Sequence, residues 1–412
     1  MIGQAPLPAT PEPGSQAIYE RLGVPRRINA AGTLTRLGGS LMAPEVLRAM
    51  TQAAEASVDI AELQSAASGV IAACTGAQAG IVTSGAAAGL TLATAACLAR
   101  WDVVRMTALP DTRAMPNRVL MARTHRNSYD HAVRLAGANI VDIGHNDRGT
   151  GAGVRGLEPW EIEAAIDANT AAFLFVATSE TLADLPSVLA TVHRHGLPVI
   201  VDAAAQLPPR SNLRAFIDAG ADLVVFSGGK AIGGPQSSGI LAGRRDLVGS
   251  ALLQMMDMDV SPQTWSPSSL IDLVALQGIP HHGIGRGFKV GKEEIAGLLV
   301  ALERFVERDE EEMARQFTRR LQAIAAALTD APSLITRLIA RDGVDQHVPL
   351  LELTVADSAH ALSRRLQQGT PPVHLGERLA HRQILTINPQ TLRPEDDVVL
   401  VRCLIEASRS DL

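Results

Sequence analysis

The chain has 412 residues, of which 46% are hydrophobic and 19% charged, with a formal net charge of −6. That balance describes an ordinary water-soluble globular protein and excludes a broad basic footprint for nucleic acid. No apolar run approaches the roughly 20 residues that a membrane helix needs. The length exceeds what one hydrophobic core usually serves, so a large domain and a smaller one are expected. Cys74, Cys97 and Cys403 show no paired or metal-ligand spacing, and their odd number points to a reducing cytoplasm.

The chain opens on a Pro-rich stretch, 1–15, without the basic start and apolar centre of a signal peptide; it reads as a disordered or loosely packed arm. A polar, Gly-punctuated segment with Asn29, Thr33, Thr35 and Arg36 follows, expected to line a substrate entrance, and the two together make up 1–43. From 44 a βα rhythm sets in. Helices are predicted at 44–56, with Pro44 in the first turn, and at 59–75, stopped by Gly76. A strand at 79–83 runs into a helix of small residues starting at Ser84. Further strands are predicted at 118–122, 139–142, 171–176, 197–201 and 238–242, with helices at 158–168, 187–195 and 214–220 among them. This alternation predicts an α/β fold with a mostly parallel sheet covered on both faces, in a large domain at 44–290. A long acidic and basic helix at 292–328 is expected to leave it. The remainder, 291–412, with strands at 350–354 and 383–387, reads as a small α+β domain.

Only three lysines occur: Lys230, Lys289 and Lys292. Lys230 ends the run Asp222-Leu-Val-Val-Phe-Ser-Gly-Gly-Lys230, where an apolar strand breaks into a turn of small residues. An amine held there, close to backbone that can surround an anion, is placed to form a Schiff base with a carbonyl cofactor. A surface lysine in an Arg-dominated chain is the competing reading. The strand at 197–201 delivers Asp202 at its carboxyl end, where α/β enzymes assemble their sites, and the alanines 203–205 leave room for a flat ring. One crossover helix and a returning strand fit between Asp202 and Lys230, so the two are expected on neighbouring strands. Asp202 alone could be a helix cap. Together, a carboxylate for a pyridine nitrogen and an amine for an aldehyde are what pyridoxal 5'-phosphate requires.

The stretches Val201-Asp-Ala-Ala-Ala205, Gly220-Ala-Asp-Leu-Val-Val-Phe-Ser-Gly-Gly-Lys230 with its continuation to Gly239, and Gly283-Ile-Gly-Arg-Gly-Phe-Lys-Val-Gly-Lys-Glu293 resemble D-glucosaminate-6-phosphate ammonia-lyases. More distantly, they resemble bacterial selenocysteine synthases, the seryl-tRNA selenium transferases. Ile28-Asn-Ala-Ala-Gly-Thr33 and Thr75-Gly-Ala-Gln-Ala-Gly80 fit the same collinear pattern, which runs from about 28 to about 303. The resemblance implies a fold type I pyridoxal-phosphate enzyme. Gly229 stands where a selenocysteine synthase is expected to carry an acidic residue, and the acidic chain shows no basic N-terminal tRNA-binding domain.

A helix that starts directly after a strand presents unpaired backbone N–H groups and the positive end of its dipole. Ser84, Gly85 and Ala86 therefore form a candidate phosphate cradle, although small residues there also serve helix–sheet packing. Ser227 is expected to add a phosphate contact, and Ala204 to lie against the ring. His125, in Arg-Thr-His125-Arg-Asn after the strand at 118–122, resembles the ammonia-lyase segment; the resemblance implies a ring stacked on the cofactor or assisting proton transfer. A lone strand-end histidine is also commonly structural, and His131 is expected on a helix surface. His281 and His282 invite a metal reading, but no carboxylate or thiolate at useful spacing supports it, so none is expected. Arg286, in the Gly-rich loop with Lys289, is a candidate anion clamp. The resemblance to fold type I enzymes implies Arg382, just before the small-domain strand and with Arg378 competing, as the candidate for a substrate carboxylate, and Thr35 is a candidate for further substrate contact.

The resemblance implies a lyase that removes ammonia from a β-hydroxy or β-substituted amino acid by α,β-elimination. A racemase, an aldolase and an aminotransferase would all need the same Lys230, and a cofactor-binding protein that has lost catalysis is the reading from a different class. The expected partners are a small amino-acid substrate and a second copy of the chain, as a homodimer or an assembly of dimers, with neither nucleic acid nor membrane.

Overall fold

The structure, a computed structural model, describes residues 17–145, 157–329, 331, 333–342 and 346–409. The expected arm at 1–15 lies outside the described residues. Compactness divides the described residues into two units, the larger formed by those within 33–310 together with 346–347 and the smaller by the others.

The larger unit is built on a seven-stranded sheet. The smaller unit's β1 (Ile28–Ala30) precedes β2 (Ala79–Thr83), β3 (Arg118–Ala122), β4 (Asn139–Ile143), β5 (Thr170–Val176), β6 (Val199–Asp202), β7 (Leu223–Ser227) and β8 (Gly239–Gly243). The order across the sheet is β2-β8-β7-β6-β5-β3-β4. β8 pairs antiparallel with both neighbours, while β7, β6, β5, β3 and β4 pair parallel in turn. β6 is buried along its whole length and β5 in all but its last residue, as continuous apolar runs in a sheet covered on both faces must be. The carboxyl ends of six strands thus share one edge, and β8 enters the sheet at that edge with Gly239.

The outer edge of β2 is closed rather than left as a template for another chain. The helix Ile60–Thr75 lies along it, capped by Asp59 and ended by Gly76 in the left-handed region. Its buried Gln64 donates to the Val82 carbonyl at 2.9 Å and accepts the Val82 N–H at 3.0 Å. Ser68 accepts from Gly80 N–H at 3.1 Å. The helix Ala86–Ala99 is buried over nearly all its length, which explains its composition: a helix packed on every side needs small apolar residues all round.

The helix expected at 292–328 is two, Lys292–Glu307 and Glu310–Ala327. The first buries Ile295, Leu298, Leu302 and Phe305 in the core of the larger unit, so that unit extends beyond 290 and the boundary falls after residue 310. The smaller unit has its own core, with Leu321, Leu351, Leu353, Leu385 and Leu400. It contains an antiparallel sheet of β9 (Leu334–Ile339), β10 (Leu350–Val355) and β12 (Ile384–Ile387), in the order β12-β10-β9, and a parallel pair of β1 with β11 (Val373–Leu375). The expected segment 1–43 is therefore divided, with β1 in the smaller unit and 33–40 in the larger. Among the described residues, no helix is long and apolar enough to cross a membrane.

Candidate active site

Register places the central residues. Asp202 ends β6 opposite Val225 of β7 and Val176 of β5, and Lys230 follows three residues after β7 ends at Ser227. The expected convergence on neighbouring strands is what the fold provides. Asp202 is 8% exposed, and its Oδ1 accepts the Ala204 N–H at 3.0 Å. Burial pushes its carboxyl up, opposed by that N–H and by the charge of Lys230. Burial pushes the half-buried Lys230 amine down, and the charge of Asp202 opposes it. Each group carries the field of the other in a setting that disfavours charge on both.

The turn bearing Lys230 is tied down on several sides. Ser40 donates its N–H to the Gly229 carbonyl at 3.0 Å and its Oγ–H to the Lys230 carbonyl at 2.5 Å. Gly233 N–H also donates to the Lys230 carbonyl, and Gly228 exchanges backbone hydrogen bonds with Ser238 and Gly234. Gln236 donates to the Thr35 carbonyl at 2.6 Å. Thr35 itself is exposed in a short 3-10 turn, so the fold uses its carbonyl to hold the lysine loop.

The candidate phosphate cradle lies along the same edge. Gly239 pairs with Thr83 on one side and with Ser227 on the other. Ser84 and Ser227 therefore flank the start of β8. Gly85, at φ +104°, precedes the helix Ala86–Ala99, which no side chain caps, and the space where its Cβ would stand is open. A Cβ on Gly239 would lie 2.6 Å from the Gly85 carbonyl carbon and 2.7 Å from the Ala86 nitrogen. Only glycine lets β8 come this close to the helix start.

His125 is 5% exposed, with its ring edge-on to Phe175 at 4.8 Å between centroids. Its Nδ1 accepts the Val176 N–H at 3.3 Å, which leaves Nε2 to carry the proton of the neutral ring. Since Val176 stands beside Asp202 in register, His125 belongs to the same strand edge. Its turn is fixed by the buried Asp130, which accepts from Arg126 Nε at 2.5 Å and from Asn127 N–H at 3.4 Å. His131 is exposed on the helix Asp130–Leu135.

Arg286 donates to Asp257 at 2.7 Å. With Lys289 it lines a cavity of about 500 Å³ shared with Asp257, Asp259, Met256 and Trp265, and none of Lys230, Asp202, His125 or Ser84 lines that cavity. His282 accepts the Met258 N–H on Nδ1 at 3.1 Å and faces Asp259 from Nε2 at 3.3 Å. The sequence offers no carboxylate at useful spacing, yet the fold brings Asp257 and Asp259 to His282, with their ligand atoms within 4.8 Å of one another. All three side chains are exposed, and Asp257 is engaged by Arg286. Arg382 is exposed in the turn Ala380–Arg382 of the smaller unit.

Sequence reasoning passed over Ser40 and Arg308, which hold the lysine loop from distant parts of the chain, and Gln236, which ties that loop to Thr35. No local signal marks them, because each acts through backbone contacts made only in the fold. The half-buried Gln206, on the loop after β6, and the exposed Glu180, after β5, also border the strand edge.

The observed groups fit pyridoxal phosphate: a buried carboxylate, an amine that burial inclines to neutrality, and an uncapped helix start beside an open glycine. Comparison with known proteins agrees. Residues 49–341 match the family described as aminotransferase class-V. A 5'-C-glycyluridine monooxygenase-decarboxylase from a Streptomyces species is 32% identical, over 94% of this chain and 91% of the relative. A D-glucosaminate-6-phosphate ammonia lyase from Salmonella typhimurium is 30% identical, over 94% of this chain and 97% of the relative. A solved structure of D-glucosaminate-6-phosphate ammonia-lyase superposes with a TM-score of 0.79 at 28% identity, over 96% of this chain and 98% of that one.

Proposed function

The chain belongs to the class-V aminotransferase family, whose cofactor is pyridoxal 5'-phosphate, and on that premise we propose that it is an ammonia-lyase acting by α,β-elimination on a β-hydroxy α-amino acid. The observation that carries this reading is the Asp202–Lys230 pair at the carboxyl edge of the sheet. The relatives add the reaction type: one is named an ammonia lyase, and the named substrates, a glucosaminate phosphate and a glycyluridine, both join an amino acid to a sugar skeleton.

The cofactor, when bound, supplies an electron sink for the carbanion left when the α-proton is removed. Lys230 would bind it through Nζ, Asp202 would hold a proton on the pyridine nitrogen through its carboxylate, and Ala204 would lie against the ring. The backbone N–H groups from Ser84 to Ala86, with the Ser227 hydroxyl, hold the phosphate. The Lys230 amine would also be the base for the α-proton, because burial keeps its neutral form accessible. His125 would cover the cofactor and orient the departing β-hydroxyl through a hydrogen bond from Nε2, and the Lys230 ammonium formed on taking the α-proton would supply the proton that releases it as water. The remaining product reacts with water to give a keto acid and ammonia. Within the larger unit, Arg286 would be the cation for the substrate carboxylate after leaving Asp257, and Thr35 would border the substrate. The reading carries with it a cytoplasmic protein that works as a homodimer or an assembly of dimers, which light scattering measures.

One observation favours a second reading: the Streptomyces relative is named a monooxygenase-decarboxylase. The same residues would then serve a reaction that consumes dioxygen. Candidate β-hydroxy amino acids incubated in deuterated water, with and without air, separate the possibilities. Equal yields of ammonia and keto acid in both atmospheres support the lyase. Oxygen uptake with carbon dioxide release would replace it with the second reading. Intact amino acid recovered with deuterium at Cα and no ammonia would replace it with a racemase.

A further inference from the structure

We propose that Arg308 is a positioning residue for Lys230, fixing the turn from which the lysine side chain projects. This inference rests on the reading of Lys230 as the cofactor-bearing residue. The carbonyls of four consecutive residues, 229 to 232, all accept hydrogen bonds from outside the strand. The first two are held by Ser40 and Gly233. The next two belong to Arg308, whose Nη1 donates to the Ala231 carbonyl at 3.0 Å and Nη2 to the Ile232 carbonyl at 3.3 Å.

Arg308 follows directly on the helix Lys292–Glu307. Its guanidinium lies 5.6 Å from the ring centroid of Phe305, which is 2% exposed in the core of the larger unit. The clamp is therefore anchored on the buried core of that unit. Burial pushes the Arg308 pKa down, and the like charge of Arg304 adds to the effect. Half-burying a cation against two neutral carbonyls is a poor way to stabilise a fold, since an apolar side chain over Phe305 would avoid the desolvation. A planar fork is, however, the side chain that reaches two successive carbonyls with fixed geometry. That geometry sits immediately downstream of the residue whose side chain must meet a carbonyl carbon and then a substrate proton, where about 1 Å of misplacement can cost roughly 100-fold in rate.

The test compares Arg308→Met and Arg308→Lys with wild type as purified cofactor-bound protein. Borohydride reduction and peptide mapping give the fraction of chains with cofactor fixed on Lys230, and absorbance, Tm, kcat and KM are measured beside it. For Arg308→Met the expected result is a kcat lower by roughly 10- to 100-fold with KM nearly unchanged, and a cofactor band altered together with a smaller trapped fraction. Arg308→Lys should fall between the two, since it keeps the charge but reaches one carbonyl. Wild-type trapping and kcat in a folded Arg308→Met, even with a lowered Tm, would make the residue merely structural and overturn the proposal. Should that variant not fold, wild-type trapping and kcat in Arg308→Lys would overturn it equally. A wild-type adduct on Lys289 or Lys292 would instead sink the reading of Lys230 itself, which keeps the two failures distinct.

Discussion

Asp202, at the end of β6, and Lys230, in the turn that follows the adjacent parallel strand β7, oppose the effect of burial on one another: the aspartate's charge raises the lysine pKa, and the lysine's charge lowers that of the aspartate. Neither is comfortable as an ion where it stands. An aldehyde that takes up the amine and a pyridinium that meets the carboxylate would relieve both at once, and the following expectations come from that arrangement.

Replacing Lys230 by Ala should abolish the visible absorbance of bound cofactor. Borohydride should then fix no cofactor to the chain, whereas in wild type the reduced adduct should map to the peptide containing Lys230.

The pH dependence has a definite sign. Burial lowers the Lys230 pKa from its ordinary 10.5, so the neutral, reactive amine is present at lower pH than in a free lysine. In cofactor-stripped protein, labelling of Lys230 by an amine reagent should show a midpoint below 10.5. Asp202→Asn removes the negative charge that raises this pKa, so the midpoint should move further down. Mass spectrometry of the labelled peptide over about pH 6–11 measures it, and an unmoved midpoint in the variant would show that the two charges do not interact.

Asp202→Asn should also retain some cofactor but lose most turnover. Breaking one side of a buried ion pair costs roughly 3–5 kcal/mol, which corresponds to about 10²- to 10⁴-fold in rate. Steady-state kinetics with a substrate found by the ammonia assay gives the number, and turnover near wild type would remove the carboxylate from the mechanism.

Gly239→Ala tests the phosphate cradle without touching a polar group. The added methyl meets the backbone of Gly85 and Ala86 at 2.6–2.7 Å, and overpacking of this kind costs about 1–3 kcal/mol. If the helix start is displaced, the cofactor Kd should rise by roughly 10-fold, read by fluorescence titration of the stripped protein. Unchanged affinity in a folded variant would place the phosphate elsewhere.

Much of the fold was legible along the chain because its signals are local. The alternation of short β-branched runs with helices predicted the parallel sheet, and Pro44, Asp59 and Gly76 marked helix ends by backbone chemistry that acts within a few residues. The Ser-Gly-Gly-Lys turn and the aspartate at a strand end were visible for the same reason: parallel strands bring their carboxyl ends together whatever lies between. Other features were decided only in three dimensions. The long polar run after 290 looked like one helix leaving the domain, but its first part carries an apolar face that only the larger core could claim. His282 found Asp257 and Asp259 through the fold of an irregular loop, in which spacing along the chain says nothing about distance. Ser40 and Arg308 reach Lys230 by hydrogen bonds to its turn's carbonyls. Every residue has a carbonyl, so nothing in a sequence distinguishes the ones that will be held.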